Sequence, residues 1–432
     1  MRDVAVLMML AAALIMALRT PWHGIIWLVI FEYLNPHTFC WGFVRSLPVY
    51  QTILLIVMIG FLNSKREDRQ PIPRDWRIPM FYMLWMFFLL TTFDSEVPRA
   101  AWPKLIEVSK IYFPLFLTLV LINSREKLFA LLCAMAGSIG LIAVKGGVWA
   151  IGTGFAHRVW GPSGTQFGGN NEFAIVNLMM IPLLIMWRRE TNSRRLKIAL
   201  QVAVPLCFAA AISSWSRGAF LTAGVLLLIL LWHSQRKWLV VPLMAAGLVV
   251  LVQQLPDEYF GRMQTIQTYE EDESASTRIK AWRDGWRYVQ SHPLTGAGFE
   301  GWRYVTDRDW HSSIVEILAE HGFIALFMWG ALLVGTLGSL TRLYKFGKSH
   351  KELQWVSNYA FGMRTSLICY SIGTLFLGLA YWSVLYQLVF CAVLLKKFAL
   401  EHAAQLNSET RQTPYTSNRN LKALNSGLKS TH

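Results

Sequence analysis

Charge is scarce in this sequence. Of 432 residues, 16% are Asp, Glu, Lys or Arg, against about 25% in a soluble globular chain, which excludes an ordinary water-soluble domain of this length. Acidic residues are the scarcer kind, 26 against 41 Lys and Arg. With so few carboxylates and no HExxH spacing, no metal site and no cofactor are expected. The five cysteines, Cys40, Cys133, Cys207, Cys369 and Cys391, form no CxxC pair, so neither a disulfide framework nor a zinc site is indicated. No basic-aromatic reader module accompanies the net charge of +15, so nucleic acid is not an expected partner.

Apolar runs fill the space that charge leaves. Hydrophobic residues make up 54% of the chain and the mean hydropathy is +0.36. The pattern is that of an all-α, polytopic integral membrane protein. Spans are expected at 3–34, 47–63, 78–93, 108–123, 127–150, 172–187, 197–213, 218–233, 238–254, 313–341, 362–379 and 381–397. Pro21 breaks the first into two arms, each shorter than the roughly 20 residues one crossing needs. The count is therefore about 12 transmembrane helices, with 13 possible. The N-terminal run lacks a small-x-small cleavage site and reads as a retained segment rather than a cleaved signal.

Loop charge tests this reading independently. KREDRQPIPRDWR (65–77), SREK (124–127), RRETNSRRLK (188–197), HSQRK (233–237) and TRLYKFGKSHK (341–351) fall at every second loop, as the positive-inside rule requires of cytoplasmic connections. The loops near 94–107, 151–171, 213–217 and 255–312 then face the other side. With twelve spans both termini are cytoplasmic. The organisation expected is N-terminal transmembrane helices over 1–150, a catalytic-type membrane region over 151–400 with one large loop at 255–312, and a disordered polar tail at 401–432.

Few residues are placed to carry chemistry. Arg217, in AISSWSRGAFLTAG (211–224), lies where one span ends and the next begins; it suits an anion ligand or a snorkelling interface residue. Arg278 opens the amphipathic stretch STRIKAWRDGWRYVQ (276–290). Ser274 or Ser276 would cap that helix, and an arginine at a helix N-terminus suits phosphate; a solvated helix face is the alternative. His311 stands at the junction of the long loop and a span, a place for a general base or a structural histidine, with Asp307 and Asp309 before it. His321 fits packing better. FAHRVWGPSGTQFGGNNEFA (155–174) carries five Gly or Pro between Gly161 and Gly169, a tight turn that offers Arg158 as a third anion ligand. Among 19 tryptophans, Trp282 and Trp310 lie where flat rings can stack on sugars.

These residues together resemble a known pattern. SRG after one span, R…W…HPLTGAGF in a long loop, and H…E…HG opening the next span are similar to the bacterial O-antigen ligase and polymerase superfamily, over roughly 150–340. FEYLNPHTFCWGFVRSLPVYQ (31–51) resembles the O-glycosylation ligase subgroup found with exosortase systems. One departure is Ser312, where ligases commonly carry Asn after the histidine. The resemblance implies a GT-C-type, inverting, metal-independent glycosyltransferase of the bacterial inner membrane with a large periplasmic loop. It would move a preassembled glycan from undecaprenyl diphosphate to a hydroxyl of lipid A-core, a protein or a second lipid-linked glycan. Arg217 and Arg278 would bind the diphosphate and His311 would take the acceptor proton. A transporter without chemistry would instead place charges near the bilayer midplane and show repeat symmetry. The notable charges here lie at span boundaries.

Overall fold

The computed structural model describes residues 1–235, 237–238, 241–242 and 273–412. Every regular element among them is helical: α1 (Arg2–Arg19), α2 (Pro21–Leu34), α3 (Val49–Asn63), α4 (Arg77–Phe93), α5 (Pro98–Leu121), α6 (Arg125–Gly152), α7 (Asn170–Glu190), α8 (Arg194–Ile212), α9 (Arg217–His233), α10 (Glu273–Ser291), α11 (Ser313–Ser349), α12 (Gln354–Gly373) and α13 (Ser383–Gln412), with short helical turns between some of them. α6, α7, α8, α11 and Ser383–Ser408 of α13 are long and apolar enough to cross a bilayer; α3, α4 and α9 are apolar but shorter. The protein is a helical membrane protein. A count of twelve spans does not emerge, and the expected span at 238–254 and acidic run at 270–273 lie largely outside the described residues.

Local signals start and stop the helices. Ser124, Ser193 and Ser216 each cap a helix by accepting from the backbone N–H three residues on, which satisfies a donor the helix leaves open. Pro21 and Pro98 occupy first helical positions, where a missing N–H costs nothing. The break at Pro21 makes a hairpin of α1 and α2. Trp27 Nε1 reaches Met16 Sδ at 3.4 Å across it, and Asp3 Oδ1 accepts from Gly42 N beyond the far end of α2.

Contacts between loops sort the bundle into two ends. At one end Asn35 Nδ2 donates to Ser163 O, Glu96 N to Ala297 O and Val159 N to Ser213 O, and Ser383 N to Gln166 Oε1. At the other, Gln70 Nε2 donates to Leu119 O and Ile122 O, Arg125 pairs with Glu190, and Lys396 pairs with Asp75. The Lys- and Arg-rich connections all fall at this second, basic end. The α1–α2 hairpin puts Met1 at the first end, opposite Gln412 at the end of α13, and the C-terminal residues 413–432 lie outside the described residues.

Three further boundaries differ from expectation. α5 begins at Pro98, so most of the expected 94–107 loop is helix carrying Lys104, Glu107 and Lys110. The span expected at 362–379 is α12, shifted toward the N-terminus, with a loop at 374–382 after it. α13 runs to Gln412, into the stretch expected to be disordered.

The expected turn at 292–302 has a structural explanation. α11 is broken at Gly322 (φ 74°, ψ −173°), and the 292–298 loop fills the break. Ala297 N donates to Ala319 O (2.9 Å), Gly298 N to Glu320 O (2.8 Å), and Phe323 N to Pro293 O (2.9 Å), so the backbone groups freed by the break are paired. A Cβ at 322 would stand 2.5 Å from Leu294 O. Gly322→Ala is therefore expected to destabilise by at least about 1–3 kcal/mol from backbone strain alone. Gly330→Ala, in the same helix with nothing within 4 Å of the new methyl, should gain about 0.5–1 kcal/mol. Thermal unfolding of the two variants in detergent checks the contrast, and equal midpoints would refute this account of the break.

Candidate functional site

α11 begins with a stripe of polar side chains, Ser313, Glu316 and Glu320, spaced to share one helix face. All three bind the 374–382 loop. Ser313 N donates to Thr374 O (2.9 Å), and Ser313 Oγ donates to Leu377 O (2.9 Å) and accepts from Leu379 N (2.8 Å). Glu316 Oε2 accepts from Ala380 N (3.2 Å), and Glu320 Oε2 accepts from Tyr381 Oη (2.7 Å). Glu320 Oε1 accepts from the indole of Trp310 (3.2 Å). Next to Glu320, His321 is fully buried between Phe88 and Phe299, with ring centroids at 4.4 Å from each, and its Nδ1 lies 2.6 Å from Thr91 Oγ1. His321 is a packing residue, as its sequence position indicated.

His311 sits just above this stripe, half-buried, with φ at 45°. A left-handed backbone is uncommon for a histidine and marks a position held by its surroundings. Burial lowers the imidazole pKa below its ordinary 6.5, the cations Arg278 and Arg308 push it the same way, and Asp309 opposes them. The ring is thus held toward its neutral form, and Arg278 lies close enough for its charge to act on it.

α10 is laid against the start of α11. Arg308 Nη1 donates to Thr277 Oγ1 (2.6 Å), Lys280 pairs with Asp307 at the surface, and the Trp282 indole donates to Trp310 O (2.6 Å). Val289, Trp310, Leu318 and Ala319 form a small core beneath. Trp282 is half-buried and Trp310 is enclosed, with 0% of its surface exposed. α10 has already begun at Glu273, so Ser274 and Ser276 lie within the helix and neither is its N-cap. Asp307 and Asp309 make a D-x-D spacing, yet among the described residues no three His, Cys, Asp or Glu side chains group as metal ligands.

Arg217 is the first residue of α9, behind the Ser216 cap. Its turn is laced to the 155–170 loop. Ser213 Oγ donates to His157 O (2.7 Å), Asn170 Nδ2 to Ser214 O (2.7 Å), and Trp215 Nε1 to Phe155 O (3.1 Å). The Arg158 guanidinium stands 5.4 Å from the Trp215 ring centre. Gly218 faces Phe376 of the 374–382 loop, where a Cβ would meet the ring at 3.4 Å. That loop therefore touches both the helix headed by Arg217 and the helix that follows His311. The structure puts Arg278 within electrostatic reach of His311 and Arg158 beside the Arg217 turn, and the helices that follow His311 and begin at Arg217 both touch the 374–382 loop.

A family model for the O-antigen ligases matches residues 202–330. Over those residues the chain is similar to the O-antigen ligases. Arg217, Arg278, Trp282, Trp310 and His311 lie inside the ligase match. Arg158 lies in residues 1–192, which match a family of unknown function. No curated protein matches the chain.

That N-terminal region adds to the candidate site from the side. Lys104 Nζ pairs with Glu107 at 3.2 Å and lies within electrostatic reach of Glu316 and Glu300. Glu107 in turn lines a cavity of about 440 Å³ with Glu32, Asn35, Tyr50, Lys110 and Gln166. Glu316, Glu320, Tyr381 and Lys104 were not picked out as site residues in the sequence. The signal available was an ionisable residue within an apolar helix. If the Glu320 carboxylate depends on its two donors, Trp310→Phe and Tyr381→Phe should each cost about 1–3 kcal/mol, the range for a buried group left unpaired. A thermal midpoint unchanged in both variants would contradict that dependence.

Proposed function

We propose that this chain transfers a preassembled glycan from undecaprenyl diphosphate to a hydroxyl acceptor, at the bundle end that carries His311. That end faces the periplasm of a bacterial inner membrane, and the basic end faces the cytoplasm. The observation that carries the reading is the pairing, within the ligase-family segment, of a histidine held toward neutrality with an arginine whose charge reaches it. A general base must be neutral to accept a proton, and an arginine is a fixed donor for a diphosphate.

In this reading the acceptor oxygen attacks the anomeric carbon from the face opposite the diphosphate. The carbon–oxygen bond to phosphate breaks and its electron pair leaves with undecaprenyl diphosphate, inverting the anomeric centre. The acceptor proton passes to the His311 imidazole. Arg278 and Arg217 hold the diphosphate and stabilise the charge that grows on it, with Arg158 beside the Arg217 turn. Trp282 lies along the path of the glycan. A lipid A-core, a protein or a second lipid-linked glycan would meet the same three residues, so ligase and polymerase chemistry coincide here.

Arg217→Ala, Arg278→Ala and His311→Ala are each expected to lower glycan transfer by about 10²-fold or more while leaving the protein inserted and monodisperse. Purified protein with undecaprenyl-diphosphate glycan and candidate acceptors, read by mass spectrometry of the product, measures this. Wild-type rates in all three would sink the assignment. The pH profile gives a separate check with a defined sign. Activity needs neutral His311, so it is present above the histidine pKa and lost as pH falls through it, and a lowered pKa puts that acid limb below 6.5. Arg308→Gln removes a charge that depresses the pKa and should move the limb to higher pH. Asp309→Asn removes a charge that raises it and should move the limb lower. Shifts in the same direction, or none, would show that His311 is not the titrating base.

A further inference from the structure

At the basic end, remote from His311, the last turns of α7, α9 and α11 meet the first turns of α12 around a cavity of about 730 Å³. Arg189, His233 and Lys348 line it with Tyr344, Ser357 and Asn358, and among the described residues no carboxylate does. The cations are braced rather than neutralised. Arg189 stands 5.0 Å from the Phe361 ring centre and Nη1 reaches Asn358 Oδ1 at 3.5 Å. Behind the lining, Arg364 stands 4.6 Å from the Tyr344 ring centre and Nη2 is 3.4 Å from His233 Nε2. His233 Nδ1 is 2.8 Å from Ile229 O; donating there, it leaves Nε2 as the acceptor for Arg364.

The nearest acid is already committed. Glu190 accepts from Asn358 Nδ2 (2.6 Å) and pairs with Arg125 (2.9 Å). Among the described residues no carboxylate forms an ion pair with Arg189, Lys348 or Arg364. Part of this positive charge offsets the C-terminal dipoles of α7, α9 and α11. The first turns of α12 close the same space from the other side with Gln354, Ser357 and Asn358. A cavity of this size walled by two cations and a histidine, backed by a further arginine, has room for far more than one counterion.

We propose that this cavity is a binding site for a phosphate-bearing anion, with a glycerophosphate-type headgroup as the chemical unit it holds. Planar guanidinium, ammonium, phenol and amide donors converge on one space, and that donor set matches phosphate oxygens. The position at a helix-end boundary of a membrane protein is where an anionic lipid headgroup resides. A soluble phosphate compound presents the same chemistry, so the test separates the two sources. The inference does not depend on the reaction assigned to His311.

The experiment uses the full chain in detergent, with native mass spectrometry of complexes with phosphatidylglycerol and with phosphatidylcholine of the same acyl chains. Glycerol phosphate and inorganic phosphate serve as soluble competitors. Phosphatidylglycerol should be retained about tenfold over phosphatidylcholine, which corresponds to about 1.4 kcal/mol. The double variant Arg189→Gln/Lys348→Gln should lose that preference. Arg342→Gln, exposed at the same end but outside the cavity, should keep it. Lys348→Gln alone, at an exposed position, retains the test if the double variant misfolds. Displacement by millimolar glycerol phosphate supports a soluble ligand, and retention against it supports a lipid. Equal retention of the two lipids with no uptake of either soluble phosphate, or equal loss in Arg342→Gln and the cavity variants, would overturn the proposal.

Discussion

Two carboxylates inside a membrane bundle are the constraint around which the candidate site is arranged. Glu316 and Glu320 lie in an otherwise apolar helix, where an unpaired charge or polar group is costly. The remedy is local. Ala380 N–H, the Tyr381 hydroxyl and the Trp310 indole each donate to one of these carboxylates. Those donors belong to the 374–382 loop and to the residue before His311, so satisfying the carboxylates fixes both. The loop then abuts Gly218 at the head of α9. One need for hydrogen bonds therefore sets the relation between the segments carrying Arg217 and His311, without either residue contributing to the bonds.

The break at Gly322 serves the same end by another route. A continuous helix would tie the carbonyls of Ala319 and Glu320 into its own ladder. The left-handed glycine releases them to the 297–298 backbone, and Glu96 N joins by donating to Ala297 O. The stretch HPLTGAGF is thus a structural insert that seats the loop against α11 and the start of α5. Its glycines are explained by close approach: a Cβ at Gly298 would fall 2.4 Å from Ser95. Motif residues of this kind support the reacting groups and need not touch a substrate.

How much of this was legible in sequence follows from which physical signals are local. Pro21 and the alternation of basic loops are local signals, and the break between α1 and α2 and the two-ended sorting of charge follow from them. The expected span is shorter than α5 because Lys104 and Glu107 look like loop residues when counted by hydropathy. In the bundle they share one face that meets the cavity and Glu316, so the charge is accommodated by position rather than by solvent. The expected span is displaced from α12 for a similar reason, since the polar Ser357 and Asn358 line the basic-end cavity. Trp310 and an exposed interfacial tryptophan are indistinguishable in sequence. Only the distant Glu320 gives its indole N–H a partner and explains its enclosure.

The division of the chain into two family matches is not a division of the site. Residues 202–330 supply His311, Arg278 and Arg217, yet Arg158 and Lys104 come from the first 192 residues. Gln166, also N-terminal, accepts from Ser383 N at the end of the 374–382 loop. The cavity lined by Glu32, Glu107, Lys110 and Gln166 holds charge of both signs, and Glu107 is paired with Lys104. The charges that act on His311 are Arg278, Arg308 and Asp309. The N-terminal family match thus supplies a cavity of mixed charge beside the segment that carries Arg278 and His311. Lys104, paired with Glu107 and within reach of Glu316, stands at the seam between them.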